Sequence, residues 1–301
     1  MSLTANFLGG KAVLPPSPYK ELIAYEYLCS RDGSTLKRLA EKLSYKGRLP
    51  SEVLRDEYGL FEPPNIKEIE TYLQEKVKTG KFSVILKEDA QYPKRLLDAK
   101  YPIDLFYYRG DLGLLELPLI SIVGNRNVSG EGRKRTKRLA SLLCQNDYVI
   151  VSGLARGVDT IALKTTIDEG KKVIGVIGTP IDEVYPRENS FLQNKIAHEH
   201  LLISQVPFFK YKHQSFSSKK FYFPARNATM SAISQATVIV EASETSGTLS
   251  QARACIYQGR KLFILNSCFE NPNITWPERF QRQGAIRVYE IEDILGELKK
   301  T

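Results

Sequence analysis

Two loops in this chain carry residues suited to holding phosphate. Gly124-Asn125-Arg126-Asn127 follows the apolar run Leu119-Ile120-Ser121-Ile122-Val123, and Ser152-Gly153-Leu154-Ala155-Arg156-Gly157-Val158-Asp159 follows Tyr148-Val149-Ile150-Val151. A glycine turn exposes backbone N–H groups, and a guanidinium matches phosphate oxygens two at a time. A third stretch, residues 208–227, interleaves Lys210, Lys212, Lys219 and Lys220 with seven aromatic residues, Phe208, Phe209, Tyr211, Phe216, Phe221, Tyr222 and Phe223, and contains no acidic residue. Lysines neutralise phosphates and aromatic faces stack on bases of any sequence, which is what single-stranded nucleic acid requires of its partner. Taken as an extended segment at the sheet edge, it puts Phe221 and Phe223 on one side, so one set of side chains is expected to be buried; core aromatics flanked by lysines remain the alternative. Arg133, Lys134, Arg135, Lys137 and Arg138 read as the solvated face of a helix.

Other chemistries find little support. Gly124, Gly130 and Gly132 miss the GxGxxG spacing, and the chain has neither a GxxxxGK[ST] loop nor a GxSxG elbow. His198 and His200 stand two apart, on different faces of a helix, and read as helix-end residues. Neither a metal, a cofactor nor a catalytic residue is expected. The four cysteines are scattered without a CxxC pair, which fits a reducing cytoplasm. No apolar run reaches the length of a membrane span, and no signal peptide is visible. Net charge is +9 over 301 residues, with 42% hydrophobic and 26% charged residues, so a globular protein with a polyanionic partner is implied.

Positioning the loops requires a sheet. The apolar runs alternate with helix-length segments, as at 130–146, where Leu139, Leu142 and Leu143 share a face. Such alternation means parallel strands joined by crossover helices, with both loops at the carboxyl edge where open α/β sheets bind ligands. Strands are predicted at 82–86, 103–110, 173–177, 201–204, 238–241, 262–265 and 285–289, and helices at 94–99, 160–169 and 243–249, with a long loop from 265 to 284. Ahead of them, helices at 19–29, 34–43, 51–58 and 66–77 form a small all-helical N-terminal domain over residues 1–80, with a loose arm at 1–16. Its expected role is packing or spacing. Residues 81–301 form the sheet domain.

Together these stretches resemble the DNA-processing protein A family, also called Smf. The likeness runs from about Val84 to Tyr289 and rests on 89–93, on Tyr107-Tyr108-Arg109-Gly110-Asp111, on both loops above, and on Tyr185-Pro186-Arg187-Glu188-Asn189. It continues through Phe223-Pro224-Ala225-Arg226-Asn227 and Glu244-Thr245-Ser246-Gly247-Thr248-Leu249. The resemblance implies a Rossmann-like, doubly wound, mostly parallel sheet that binds single-stranded DNA, forms a homodimer and helps load the RecA recombinase in natural transformation. It implies that Arg126, Arg156, Lys219, Lys220, Phe223, Arg226 and Asn227 hold the DNA. Gly124, Asn125, Ser152, Gly153, Gly157, Asp159, Ser246, Gly247 and Thr248 are expected to line the pocket, and Ile256, Tyr257 and 263–269 to carry the dimer contact. The family pattern is departed from at Leu163, at Asn266-Ser267 and at 273–276. Ser30-Arg31-Asp32-Gly33 stands where the family has Gly-Ile-Gly-Pro, so the helical domain is not expected to add a DNA contact. The rival is a nucleotide sensor or a hydrolase similar to the LOG-type phosphoribohydrolases. Those carry a GTxxE pattern, whereas Gln251 here offers an amide that cannot act as a base.

Overall fold

The computed structural model describes residues 17–44, 47–100 and 103–300; the expected arm at 1–16 lies outside them. Helices α1 (Pro18–Ser30), α2 (Leu36–Ser44), α3 (Pro50–Tyr58) and α4 (Ile66–Thr79) come first. Pro50 starts α3 where a missing N–H costs nothing, and Glu52 Oε2 accepts from Leu49 N at 3.0 Å to close the first turn. In α2 the spacing of Leu39, Ala40 and Leu43 buries one face. By contrast α1 is buried nearly all round, from Glu21 to Cys29, because it lies between the other helices and the sheet.

The sheet then follows with β1 (Ser83–Leu86), α5 (Lys94–Leu97), β2 (Leu105–Gly110), β3 (Leu119–Val123), α6 (Gly130–Gln145), β4 (Val149–Ser152), α7 (Val158–Asp168), β5 (Val173–Ile177), α8 (Ser190–Glu199) and β6 (Leu201–Ser204). Next come α9 (Phe208–His213), α10 (Phe216–Lys219), α11 (Tyr222–Ile233), β7 (Ala236–Ile239), α12 (Thr248–Tyr257), β8 (Lys261–Leu265), α13 (Asn266–Phe269), α14 (Trp276–Gln281), β9 (Ile286–Val288) and α15 (Ile291–Leu298). The nine strands form one sheet in the order β1-β2-β6-β5-β4-β3-β7-β8-β9. Only the β1–β2 and β2–β6 pairs are antiparallel. The fold is therefore the Rossmann-like, mostly parallel sheet with a helical N-terminal segment.

From β3 the chain steps to β4 on one side and later returns to β7 on the other, so the topological switch point lies at the carboxyl ends of β3 and β7. Such a crevice is the usual ligand site of an open α/β sheet. Strand residues are buried on both faces. Alternation divides β3: Ile120 and Ile122 join the core under α6 and α7, while Leu119 and Val123 join the core under α11 and α12.

Residue 80 separates a helical part from a sheet part, yet the core runs across it. Leu22, Tyr25 and Leu28 of α1 belong to the same cluster as Ile120 of β3. Glu26 is fully buried and accepts from Tyr107 Oη at 2.6 Å, Phe208 N at 2.7 Å and Phe209 N at 3.0 Å. Burial pushes its carboxyl up to about 7, against those three donors.

Three expectations are corrected. Residues 208–227 are helical rather than extended, running through α9, α10 and the start of α11. Pro207 and Ser215 initiate turns there, Ser215 Oγ accepting from Ser218 N at 3.3 Å. The helix expected at 243–249 is a loop up to Gly247, with α12 beyond it, and the long loop after β8 contains α13 and α14. Trp276 of α14 is buried and donates Nε1 to Ala242 O at 3.2 Å, which ties that loop to the end of β7.

Candidate nucleic-acid interface

A cavity of about 690 Å³ opens at the switch point. Its floor is the β3 loop, its sides the loop before α12 and the first turns of α11. Thr248 Oγ1 donates to Gly124 O at 3.1 Å, Asn125 N donates to Glu241 O at 2.8 Å, and Ser243 N donates to Asn125 Oδ1 at 3.0 Å. The loops after β3 and β7 are thus stitched together, and Asn125 is a strut. Gly157 enters α7 at φ +74°, and a Cβ there would lie 2.2 Å from Asn125 O and 2.4 Å from Arg126 O. Only glycine permits that approach. The N-termini of α7 and α12 both end beside the cavity, so two helix dipoles favour negative charge in it.

Arg126 stands exposed at the mouth and makes no hydrogen bond or ion pair among the described residues. Arg226 differs. It is 6% exposed, its Nη1 donates to Gly153 O and to Val176 O at 2.9 Å, and its Nε donates to Asn227 Oδ1 at 2.9 Å. A Cβ on Gly153 would lie 2.1 Å from Arg226 Nη1, so the bare glycine makes room for the guanidinium. Burial pushes Asp159 up to about 6, while Arg226 and the N–H groups of Ala155 and Gly153 pull it down. Arg226 therefore serves as a buried cation that braces the floor and offsets the charge of the buried Asp159 carboxylate.

Ten of the sixteen expected site residues line the cavity: Gly124, Asn125, Arg126, Asp159, Phe223, Arg226, Asn227, Ser246, Gly247 and Thr248. Ser152, Gly153 and Gly157 support it from behind, Ser152 Oγ donating to Ile122 O at 2.7 Å. Arg156, Lys219 and Lys220 stand outside the lining. The Arg156 guanidinium is held by the Glu188 carboxylate through both its Nε and Nη2. Lys219 Nζ lies 4.3 Å from the Tyr211 ring centroid and Lys220 Nζ 5.3 Å from that of Phe216. Phe223 packs over Gly178 and 5.6 Å from the Tyr185 ring, which is 48% exposed, giving an aromatic step beside the mouth. Gln251 lines the cavity too, but is 1% exposed and donates Nε2 to Thr237 Oγ1 at 3.3 Å. Sequence reasoning missed Ser243 and Ser250. Ser243 follows the second strand of the switch point, and Ser250, which accepts from Asn227 Nδ2 at 2.7 Å, stands one helical turn after Gly247.

The family model for DNA recombination-mediator protein A matches residues 83–299. The chain belongs to that family. DNA processing protein DprA of Streptococcus pneumoniae is 30% identical over 287 residues, covering 91% of this chain and 97% of the relative. The protein of the same name from Bacillus subtilis is 30% identical over 254 residues, covering 84% and 82%. Among solved structures, DNA processing protein A of S. pneumoniae matches with a TM-score of 0.76 at 28% identity, covering 94% of this chain and 99% of that one. A Helicobacter pylori DNA processing protein A, whose structure describes a single-stranded DNA binding mode, matches with a TM-score of 0.61 at 28% identity, covering 73% and 96%. The pneumococcal family member thus matches through the helical segment as well as the sheet, whereas the family model covers the sheet part.

Among the described residues no helix is long and apolar enough to cross a membrane, and no group of three or more His, Cys, Asp or Glu could hold a metal. All four cysteines are buried and free. One expected surface is corrected: Phe263 and its neighbours in β8 are core, so within that stretch only half-buried positions such as Leu265 and Phe269 reach the outside.

Proposed function

We propose that this protein binds single-stranded DNA, with little sequence preference, at the switch-point cavity. The observation that carries the reading is Arg126, an exposed guanidinium with no hydrogen bond or ion pair among the described residues, set between two helix N-termini and the Phe223–Tyr185 aromatic step. Cations without carboxylate partners meet phosphates, and exposed rings stack on bases whatever their identity. The binding mode described for the H. pylori relative supports the same reading. Asp159 is the sole carboxylate of the lining; it is buried, accepts from Gly153 N at 3.1 Å and lies in the field of the Arg226 guanidinium, an arrangement that suits a structural role better than that of a general base. The protein acts as a binder rather than a hydrolase.

Fluorescence anisotropy with labelled oligothymidine and oligoadenine at low salt tests this. Comparable affinity for both, greatly weakened in Arg126→Ala, is expected. Calorimetric binding of one nucleoside monophosphate or cyclic nucleotide, with no binding to any oligonucleotide, would overturn the reading in favour of a nucleotide sensor. Two finer readings rest on the family resemblance. The protein pairs as a homodimer through the outward positions of the expected surface, the half-buried Ile256, Leu265 and Phe269 with the 55% exposed Tyr257, and light scattering at micromolar concentration should give twice the chain mass. It also delivers the strand to a RecA-type recombinase in the cytoplasm during DNA uptake, so adding it should shorten the lag of recombinase filament growth on single-stranded DNA.

A further inference from the structure

A second concavity, of about 360 Å³, lies on the other side of α11, between the N-terminal helices and α9–α10. Cys29, Thr35, Leu36 and Lys37 form one wall, and Lys210, Gln214, Phe221 and Tyr222 face them. The start of α11 separates it from the switch-point cavity: Phe221 and Ala225 line this groove, whereas Phe223, Pro224, Arg226 and Asn227 line the other. We propose that this groove is a second subsite for the same single strand, in which a nucleobase stacks on Phe221 while Lys37 and Lys220 meet the flanking phosphates; the proposal rests on the DNA-binding reading above.

Four observations converge. First, Phe221 is the residue just before α11, is 78% exposed and lines the groove, so its ring is open for a base to stack on. Second, no Asp or Glu lines the groove and none occurs from Phe216 to Ala225, so a strand passing from Phe223 over Lys220 to Phe221 meets no negative charge. Four acids outside the lining act on its residues: Glu41 pairs with Lys37 Nζ at 3.9 Å, a contact Lys37 must release to meet a phosphate, Asp32 acts on Lys210, and Glu26 and Asp104 act on Cys29. Third, the volume sits at the lower end of the roughly 300–1,000 Å³ of small-ligand pockets, which suits one base rather than a whole cofactor. Fourth, Gln214 Oε1 is buried without a hydrogen-bond partner, although buried side-chain oxygens nearly always have one. A base N–H entering the groove supplies the missing donor once the amide turns toward it. Lys210 contributes differently: its Nζ is held on Ser34 O, and burial lowers its pKa, so it fixes the wall of α2 against α9.

The helical segment then does more than pack. It supplies Lys37 and Leu36 to the path of the strand, although no hairpin of the family type stands at 30–33.

The test is a length series of oligothymidines from about 4 to about 16 nucleotides, measured against wild type, Phe221→Ala, Lys37→Ala and Arg126→Ala. In wild type the affinity should rise as strands become long enough to reach the groove. Phe221→Ala should bind the longest strands about five-fold or more weakly and the shortest ones as wild type does; Lys37→Ala should lower the long-strand affinity and flatten its salt dependence. Arg126→Ala should weaken every length. Phe221 is exposed, so unchanged melting curves are expected to accompany the effect. A 5-iodouracil strand should in addition photocrosslink to the Phe221 ring itself, assigned by fragmentation within the peptide 221–226 that it shares with Phe223. Long-strand affinity unchanged in both groove variants, with crosslinks confined to Phe223 and the β3 loop, would overturn the subsite and leave the switch-point reading intact. Absence of binding at every length would overturn both.

Discussion

Neutralising one glutamate should strengthen DNA binding. Arg156 projects from the loop after β4, which leads into α7 beside the cavity, but Glu188 holds its guanidinium through two contacts. Both side chains are exposed. To meet a phosphate Arg156 must first release that carboxylate, so the pair as a whole brings no net positive charge to the strand. Glu188→Gln frees the cation. For single strands each phosphate neutralised adds about 0.7 to the slope of log affinity against log salt. The variant should therefore show a slope steeper by about 0.7, and its advantage over wild type at about 50 mM salt should be about 2.6 times that at about 200 mM. Arg126→Ala should move the slope by the same amount in the opposite direction, because Arg126 has no partner to release. Arg156→Ala leaves Glu188 facing the strand and should bind more weakly than wild type, while the double variant Arg156→Ala/Glu188→Gln should return close to the wild-type slope. Anisotropy titrations of labelled oligothymidine over that salt range read all four. If Glu188→Gln leaves the slope unchanged while Arg126→Ala flattens it, the carboxylate does not withhold Arg156 and the reasoning fails.

Gly157→Ala should lift the Arg126 loop, since its φ of +74° and the 2.2 Å approach to Asn125 O exclude a side chain; a loss of roughly 1–3 kcal/mol in urea unfolding is expected, with weaker DNA binding. Gly153→Ala should displace the Arg226 guanidinium and orphan the carbonyls of Gly153 and Val176, at about 1–3 kcal/mol for each buried group left unsatisfied. In an Arg226→Ala background the added methyl has room, so the two losses should fail to add, and a double-mutant cycle would detect this. Glu26 makes stability depend on pH. Its carboxyl is raised from 4.5 to about 7, so the folded state holds the proton more tightly and stability falls as pH rises across that window, by on the order of 3 kcal/mol at about 1.4 kcal/mol per pH unit. Glu26→Gln should flatten that fall in denaturant midpoints measured from pH 4.5 to 7, and an unflattened profile would assign it to another group.

Local order was written in the sequence because its signals are local. Apolar runs of four or five residues followed by glycine, alternating with helix-length segments, specify a parallel sheet, and they located the loops after β3 and β4 with Arg126 and Gly157; Gly247 came only with the family resemblance, and the loop after β7 that holds it was expected as a helix. What each charge does was not written there. Arg126, Arg156 and Arg226 look alike along the chain, yet one is free, one is neutralised by a glutamate 32 residues later, and one is buried against carbonyls of Gly153 and Val176, 73 and 50 residues earlier. Partners so distant in sequence are chosen only when the sheet brings β4, β5 and α11 together. The aromatic-basic stretch failed for a related reason. It has no clean period of two or of 3.6, so its turns were fixed by Pro207, by the Ser215 cap and by packing on Glu26 and Gly178, contacts that exist only in the folded chain. Tertiary structure thereby put Phe221 and Phe223 into separate concavities, where an extended segment would have placed them side by side.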